Sequence, residues 1–378
     1  MIRTANAALA AMTVSFGLNF SMGVFFAPTA AGYGISATVL SLAAALSTAL
    51  TGLVQWRIGS LLDRVGARTV LTVGLILTSG SYLVLSVVHE TWEFVAAYMV
   101  LGGLGFAASS SLTITTLISR SYGTQAGPAL ARAAIGINLG QVLAPWAATA
   151  LFDPVGVRAA YAILGAVGLA VTAVLWFVLP PDRVESAAPA RGESLAGRIP
   201  VLVSFGLHAA TMYVVVLMLP KHALETGWSV VGAGRLVAIV AVSAGVTSAL
   251  VARLLRRHRP ETLLRILYGL RALSLVLAVF VPGPGVLVAV AALFGAASFP
   301  MIPLTMAVMS HGLDPARIGR TLAPAWVTHQ LAAAAGLGLA TALHAVTDSY
   351  RGYFALGLAF SVAAAVLLTP ARKPVHAS

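Results

Sequence analysis

Two five-residue stretches of this chain differ only at their last residue: SFGLN at Ser15–Asn19 and SFGLH at Ser204–His208. Asn19 brings an amide that both donates and accepts hydrogen bonds. His208 brings an imidazole that exchanges a proton near neutral pH. Tyr213 follows His208 by five residues, about 140° around a helix, which leaves open whether it shares that face. Trp326 and His329 stand one turn apart on one helical face. Arg132, Arg235 and Arg271 interrupt apolar stretches. All 11 acids, by contrast, fall in loops or at helix ends. The polar groups inside apolar segments are therefore neutral or cationic, a set that also includes Asn138 and Gln141. Such a set favours an anionic or uncharged partner molecule. Each residue also has a plainer reading: Asn19 and His208 as helix-to-helix hydrogen bonds, Trp326 and His329 as packing, Arg132 as a side chain reaching back to an interface. Met301, Met306, Met309 and His311 could suggest a soft-metal path, but their spacing does not put all the sulfurs on one face. No metal and no cofactor are implied. There are no cysteines, and no Walker loop or nucleophile–base set, so catalysis has no support.

The elements that must position these residues are set by composition. Hydrophobic residues make up 59% of the 378, charged residues 9%, and mean hydropathy is +0.94. A soluble domain carries about 25% charged residues. The apolar runs are long and continuous, unlike the alternating ten-residue segments of a membrane β-barrel. The class is an all-α polytopic membrane protein. Runs of about twenty apolar residues, broken at Gly, Pro and charge, predict twelve spans. They lie near 6–32, 37–61, 68–88, 92–118, 127–152, 157–180, 200–222, 229–253, 261–281, 284–310, 318–345 and 350–370. The first, behind Arg3, is too long for a signal peptide and reads as an uncleaved span. An even count puts both termini on one side, and that side holds 17 of the 23 Lys and Arg. By the positive-inside rule the termini are cytoplasmic, in a plasma or inner membrane. The net charge of +12 then serves orientation and anionic lipid, not nucleic acid.

The chain repeats itself. Gly34–Ser36 falls on Gly227–Ser229 at an offset of 193, and Val157–Gly165 falls on Tyr350–Leu358 at the same offset. Phe106–Ser111 meets Gly295–Pro300 near 189, the offset of the SFGLN/SFGLH pair. Chance similarity of Ala/Leu-rich helices would not keep a nearly constant offset in order. The domains read as a six-helix half at 1–180, a polar cytoplasmic linker at 181–199, and a second half with a short tail at 200–378. The linker is the only long polar stretch.

One short loop now stands out. GSLLDRVGARTVL, Gly59–Leu71, lies between spans two and three. It resembles the signature loop of the major facilitator transporters, through Gly59, Leu61, Asp63, Arg64, Gly66, Arg68 and Leu71. Parallel six-span repeats are the plan of that superfamily. The resemblance implies a conformational latch made of Gly59, Asp63, Arg64, Gly66 and Arg68. The second-half equivalent, ARLLRRHRPETLL, lacks the aspartate and both glycines. Met22–Leu46 and Leu219–Ser229 are also similar to monocarboxylate porters and the oxalate–formate antiporter. Those porters commonly carry an Asp and an Arg in span eight where this chain has Ala244 and Ser248. Span five lacks the glycine-rich motif of drug–proton antiporters.

The resemblance implies a non-enzymatic secondary transporter that works by alternating access around a central cavity. The expected substrate is a small organic anion, a monocarboxylate among the candidates, moved with protons or by exchange. The alternative is an exporter of a lipophilic or neutral compound. Expected substrate-binding residues are Asn19, His208, Tyr213, Arg132, Arg235, Trp326 and His329. Expected partners are the small-molecule substrate, membrane lipid and protons, with the protein a monomer. A transport-dead sensor would share this sequence pattern, and measurable flux separates the two.

Overall fold

A computed structural model describes residues 2–181, 193–281, 283–314 and 316–368. Most of the 181–199 linker, the end of span twelve and the tail lie outside the described residues. Span one is Ile2–Tyr33, span two Ala37–Val65 and span three Ala67–Val87. Span four is assembled from Thr91–Ala96, a π-helical stretch at Ala97–Gly102, Gly103–Ser109 and Ser111–Tyr122. Spans five and six run together as Ala126–Val178. Spans seven, eight and nine are Ile199–Glu225, Val230–Leu254 and Pro260–Phe280. Span ten is Pro284–Ser298 plus Met301–Ser310, span eleven Ile318–Thr347 and span twelve Arg351–Leu367.

The 53 residues of Ala126–Val178 are two crossings. At 1.5 Å per residue they would reach about 80 Å, against about 30 Å of hydrocarbon. Gly156, at φ 78° and ψ 167°, reverses the chain between them. L side chains avoid that region, and glycine enters it freely. The break falls in the gap expected between 152 and 157. Twelve helices in two pseudo-symmetric halves result.

Duplication shows in local chemistry as well as in order. Ser36 caps span two by accepting from Val39 N at 3.3 Å, and Ser229, its mate at offset 193, caps span eight by accepting from Gly232 N at 3.1 Å. Spans four and ten are both interrupted, at Ser110 and at Phe299–Pro300, an offset of 189. In span ten proline withdraws a backbone donor. In span four Ser110 leaves the helical region with ψ at −176°, and its hydroxyl donates to Ala107 O at 2.9 Å. Both interruptions are buried in protein, the one place at membrane depth where irregular backbone is tolerated.

Within each half, helices approach through small residues, the usual means of packing in lipid. Span five lies against span one so closely that a Cβ on Gly136 would sit 2.2 Å from Leu9 O, and one on Gly140 would sit 2.5 Å from Thr13 O. Buried tyrosines then tie helices together. Tyr82 meets Ser21 Oγ at 2.8 Å, Tyr161 meets Thr29 Oγ1 at 2.9 Å, and Tyr353 donates to Ala210 O at 2.6 Å.

The halves meet along two seams. Span two packs on span eleven, where a Cβ on Gly59 would fall 2.6 Å from Gly319 O, and one on Gly52 would fall 3.1 Å from Gln330 Cβ. Span five packs on span eight, where Asn138 Nδ2 donates to Ser248 Oγ at 3.4 Å. These contacts lie toward the side that carries the N-terminus. On the opposite side the bonds stay within a half: Arg158 donates to Val88 O at 2.7 Å, and His344 Nε2 meets Glu225 Oε1 at 2.8 Å.

Gly140→Val should force spans one and five apart. The overpacking cost is about 1–3 kcal/mol, visible as a lower melting temperature in detergent. An unchanged melting temperature would contradict the close approach.

Candidate functional site

Asn19 and His208 do not occupy equivalent surroundings. Asn19 is half-buried, and its amide makes no hydrogen bond among the described residues. Its neighbours on span one fix its direction. Ser15 shares a 2.7 Å hydrogen bond with Ser109 of span four, and Gly17 lies against Gly140 of span five. The Asn19 amide thus remains on the accessible stripe.

His208 is fully buried and points into its own half. Arg271 Nη2, from span nine, lies 2.8 Å from its Nδ1, and Arg271 Nη1 donates to its carbonyl at 3.4 Å. Asn19 and His208, matched in sequence, thus differ in surroundings: His208 Nδ1 is engaged by Arg271, and its Nε2 is left unpartnered among the described residues. Arg271 is itself wholly buried, its guanidinium 5.4 Å from the Phe294 ring centroid and 5.7 Å from that of Tyr268. Among the described residues no carboxylate pairs with it. A buried charge without a counter-ion is costly and marks function by default.

Around His208 lies a ring cluster. Phe205 stacks on it at 5.8 Å, and His329 of span eleven lies 5.8 Å away. Trp326 and Tyr213 flank His329 at 5.1 and 5.7 Å. Tyr213 therefore joins through span eleven rather than by sharing the face of His208. His208 Nε2, His329 Nε2 and Trp326 Nε1 are buried without hydrogen-bond partners among the described residues. Each such atom costs about 1–3 kcal/mol unless something arrives to bind it. In the first half, Gln55 Oε1 and Asn138 Oδ1 are in the same condition.

The two remaining arginines stand apart from the cluster. Arg132 is exposed and donates from Nε to Asn6 Oδ1 at 2.7 Å, near the start of span one. It reaches back to the interface, the plainer of its two readings. Arg235 is exposed on the stripe that carries Val242 and Val246, 61% and 66% exposed. Ser248, which meets Asn138 of the other half, lies two residues from Val246, so this stripe is turned away from that contact.

Asp63 crosses to the other half. Its Oδ1 accepts from Gly319 N at 3.0 Å, and its Oδ2 accepts from Arg320 N at 2.9 Å. Those are among the first backbone donors of span eleven, which have no intrahelical partner. Asp63 thus caps a helix of the opposite half and meets the positive end of its dipole. Arg120 Nη2 donates to the same carboxylate at 2.9 Å while its Nη1 donates to Leu62 O, also at 2.9 Å. Arg320 Nε adds an ion pair at 3.5 Å. Gly59 and Gly319 let the backbones close far enough for this contact. Gly66, at φ 93°, makes the turn into span three. Arg68 stays in its own half, donating to Trp176 O with its guanidinium 4.0 Å over the Trp176 ring. Arg64 is exposed, with no bond to the other half among the described residues. Arg120 and Arg320, read from sequence only as positive-side charges, are the partners that Asp63 uses.

Known proteins agree with this architecture. The Major Facilitator Superfamily profile matches residues 7–337 and 201–378. The uncharacterized MFS-type transporter YcxA of Bacillus subtilis (strain 168) is 26% identical over 372 residues, covering 92% of this chain and 89% of that protein. Human monocarboxylate transporter 11 is 30% identical over 249 residues, 63% of this chain, and the match spans about half of the human protein, 52%. The crystal structure of the human organic anion transporter MFSD10 superposes with a TM-score of 0.80 at 15% identity, covering 97% of this chain and 99% of that one. With its fold, its duplicated halves and a profile match along its length, the chain belongs to the Major Facilitator Superfamily.

Proposed function

We propose that this transporter moves a small organic anion across the cytoplasmic membrane, coupled to protons or by exchange. The observation that carries the reading is Arg271: a wholly buried cation with no carboxylate partner among the described residues, set behind unpartnered imidazole and indole nitrogens. A site already positive attracts an anion and repels a lipophilic cation. Support also comes from relatives whose names denote monocarboxylate and organic anion transport. Asn19, His208, Tyr213, Trp326 and His329 are the proposed binding set. Arg132 and Arg235 are left outside it by their exposure.

In this reading both termini are cytoplasmic and the protein works as a monomer in lipid. The halves, 1–180 and 200–378, rock about the 181–199 connection. The seams then close the cytoplasmic side beneath the binding set. Asp63 latches that state, with Gly59 and Gly66 providing the close approach and the turn. Arg68 and Arg64 serve the cytoplasmic face.

The substrate class is tested by a thermal-shift screen at pH 5.5 and 7.5 with small carboxylates, sugars, amino acids and lipophilic cations. Ligand binding to the folded state raises the melting temperature by mass action. The expected result is a shift from one or more carboxylates, larger at low pH and lost in Arg271→Met. Shifts from lipophilic or neutral compounds alone would replace this reading with an exporter.

The latch is tested by distance measurement. The chain has no cysteine, so labels at Arg64→Cys and Arg317→Cys need no background removal. Asp63→Ala should move part of the distance distribution to longer values, and Asp63→Asn, which keeps one acceptor oxygen, should move less of it. An Asp63→Ala distribution identical to wild type would remove the latch role.

A further inference from the structure

The pairing of Arg271 with His208 fixes more than a position. A guanidinium is always a donor and never an acceptor. At 2.8 Å from Arg271 Nη2, the Nδ1 of His208 must therefore be the acceptor. A neutral imidazole has one donor and one acceptor nitrogen. The proton of His208 then resides on Nε2, the atom without a partner among the described residues. A second proton would have to sit on Nδ1, donor against donor and cation beside cation.

His329 lacks such a donor. Its Nδ1 lies 3.4 Å from Gln330 Oε1, and with the amide in this orientation Nδ1 carries the proton. Its Nε2 keeps a free lone pair, buried and unpartnered among the described residues. The groups facing this imidazole are His208, Phe205 and Tyr213 from span seven, and Trp326 and Gln330 from its own helix. Arg271 stands behind His208, and Tyr268 lies beside Arg271. No carboxylate pairs with any of these groups among the described residues.

We infer that Arg271 is a positioning residue that locks His208 as a neutral Nε2–H donor. In transport, His208 Nε2–H and Trp326 Nε1–H donate to an acceptor group of the substrate. Only this last role rests on the organic-anion reading. The tautomer of His208 does not.

Nitrogen-15 NMR of histidine-labelled protein in proteoliposomes, without substrate, tests the inference between pH 5 and pH 9. The protein has eight histidines, and the signals lost in His208→Gln and His329→Gln assign the two. His208 is expected as a pure Nε2–H tautomer that does not titrate. His329, which makes no bond to Arg271 among the described residues, serves as the comparison signal. Arg271→Met removes the donor, and His208 should then become a tautomer mixture or titrate. Arg271→Lys restores a donor and should restore the pure tautomer, a readout that a purely structural role for Arg271 would not produce. A titrating His208 in the wild-type protein, or a His208 signal indifferent to Arg271→Met, would each overturn the inference. Because no substrate is present, failure of the carboxylate screen leaves this result standing, and the converse also holds.

Discussion

Lipid offers no hydrogen bonds, and every feature of this protein is arranged around that constraint. Backbone groups are satisfied within helices, so the chain is helical throughout its described apolar stretches. Helices cannot rely on a hydrophobic difference between protein and tail, so they close on one another through glycine and serine. The contacts at Gly136, Gly140 and Gly295 are the result, each leaving no room for a Cβ. Where regular structure fails, at Ser110 and at Phe299–Pro300, the failure is walled in by neighbouring spans. Charge obeys the same rule: the acids stay in loops and at helix ends, and Arg271 is buried against an imidazole and two aromatic rings.

Duplication gives each feature a twin, and divergence of the twins gives the protein its polarity. Gln55 and Ser248 are mates at 193, Asn138 and Gln330 at 192; Asn138, Ser248 and Gln330 line the two seams, while Gln55 donates to Ser110 Oγ of its own half at 3.3 Å. The seams are alike at that depth and unlike at their ends. Span two ends in Asp63, which binds two backbone donors of span eleven. Arg256, just past the end of span eight, stands at the equivalent place, and a cation cannot accept from a helix N-terminus. One seam is thus tied through a charged group, and the other by packing and a neutral hydrogen bond. Asn19 and His208 diverge in the same manner: the amide stays accessible, and the imidazole has turned to meet Arg271.

Much of this was legible in the sequence, for physical reasons. Long apolar runs, glycine at Gly156 and prolines at Pro300 and Pro303 fix spans and breaks locally, so the twelve crossings could be read off. The Gly59–Leu71 loop was legible because its residue types are dictated by a tight turn and a close approach. Its partners were not. Gly319 and Arg320 bind Asp63 mainly through backbone N–H groups, and any sequence supplies those. The surroundings of the arginines were hidden for a related reason. Position along a helix is legible, but direction around it is set by neighbouring helices, and Arg132 and Arg235 are exposed. Arg271 is separated from His208 by 63 residues, which hid their pairing.

Span eleven connects the two sites. Ile318–Thr347 begins under Asp63 and carries Trp326, His329 and Gln330 farther along the same helix. Gly319 and His329 are ten residues apart, about 15 Å along the axis. Between them stands Pro324, which withdraws one backbone donor and is where the helix bends most easily. The first turns of span eleven are held by Asp63 of the opposite half, and Thr321 Oγ1 accepts from Glu193 N. The next turns present Trp326 and His329 to span seven. One continuous helix thus joins the Asp63 contact at the seam to the unpartnered nitrogens of Trp326 and His329.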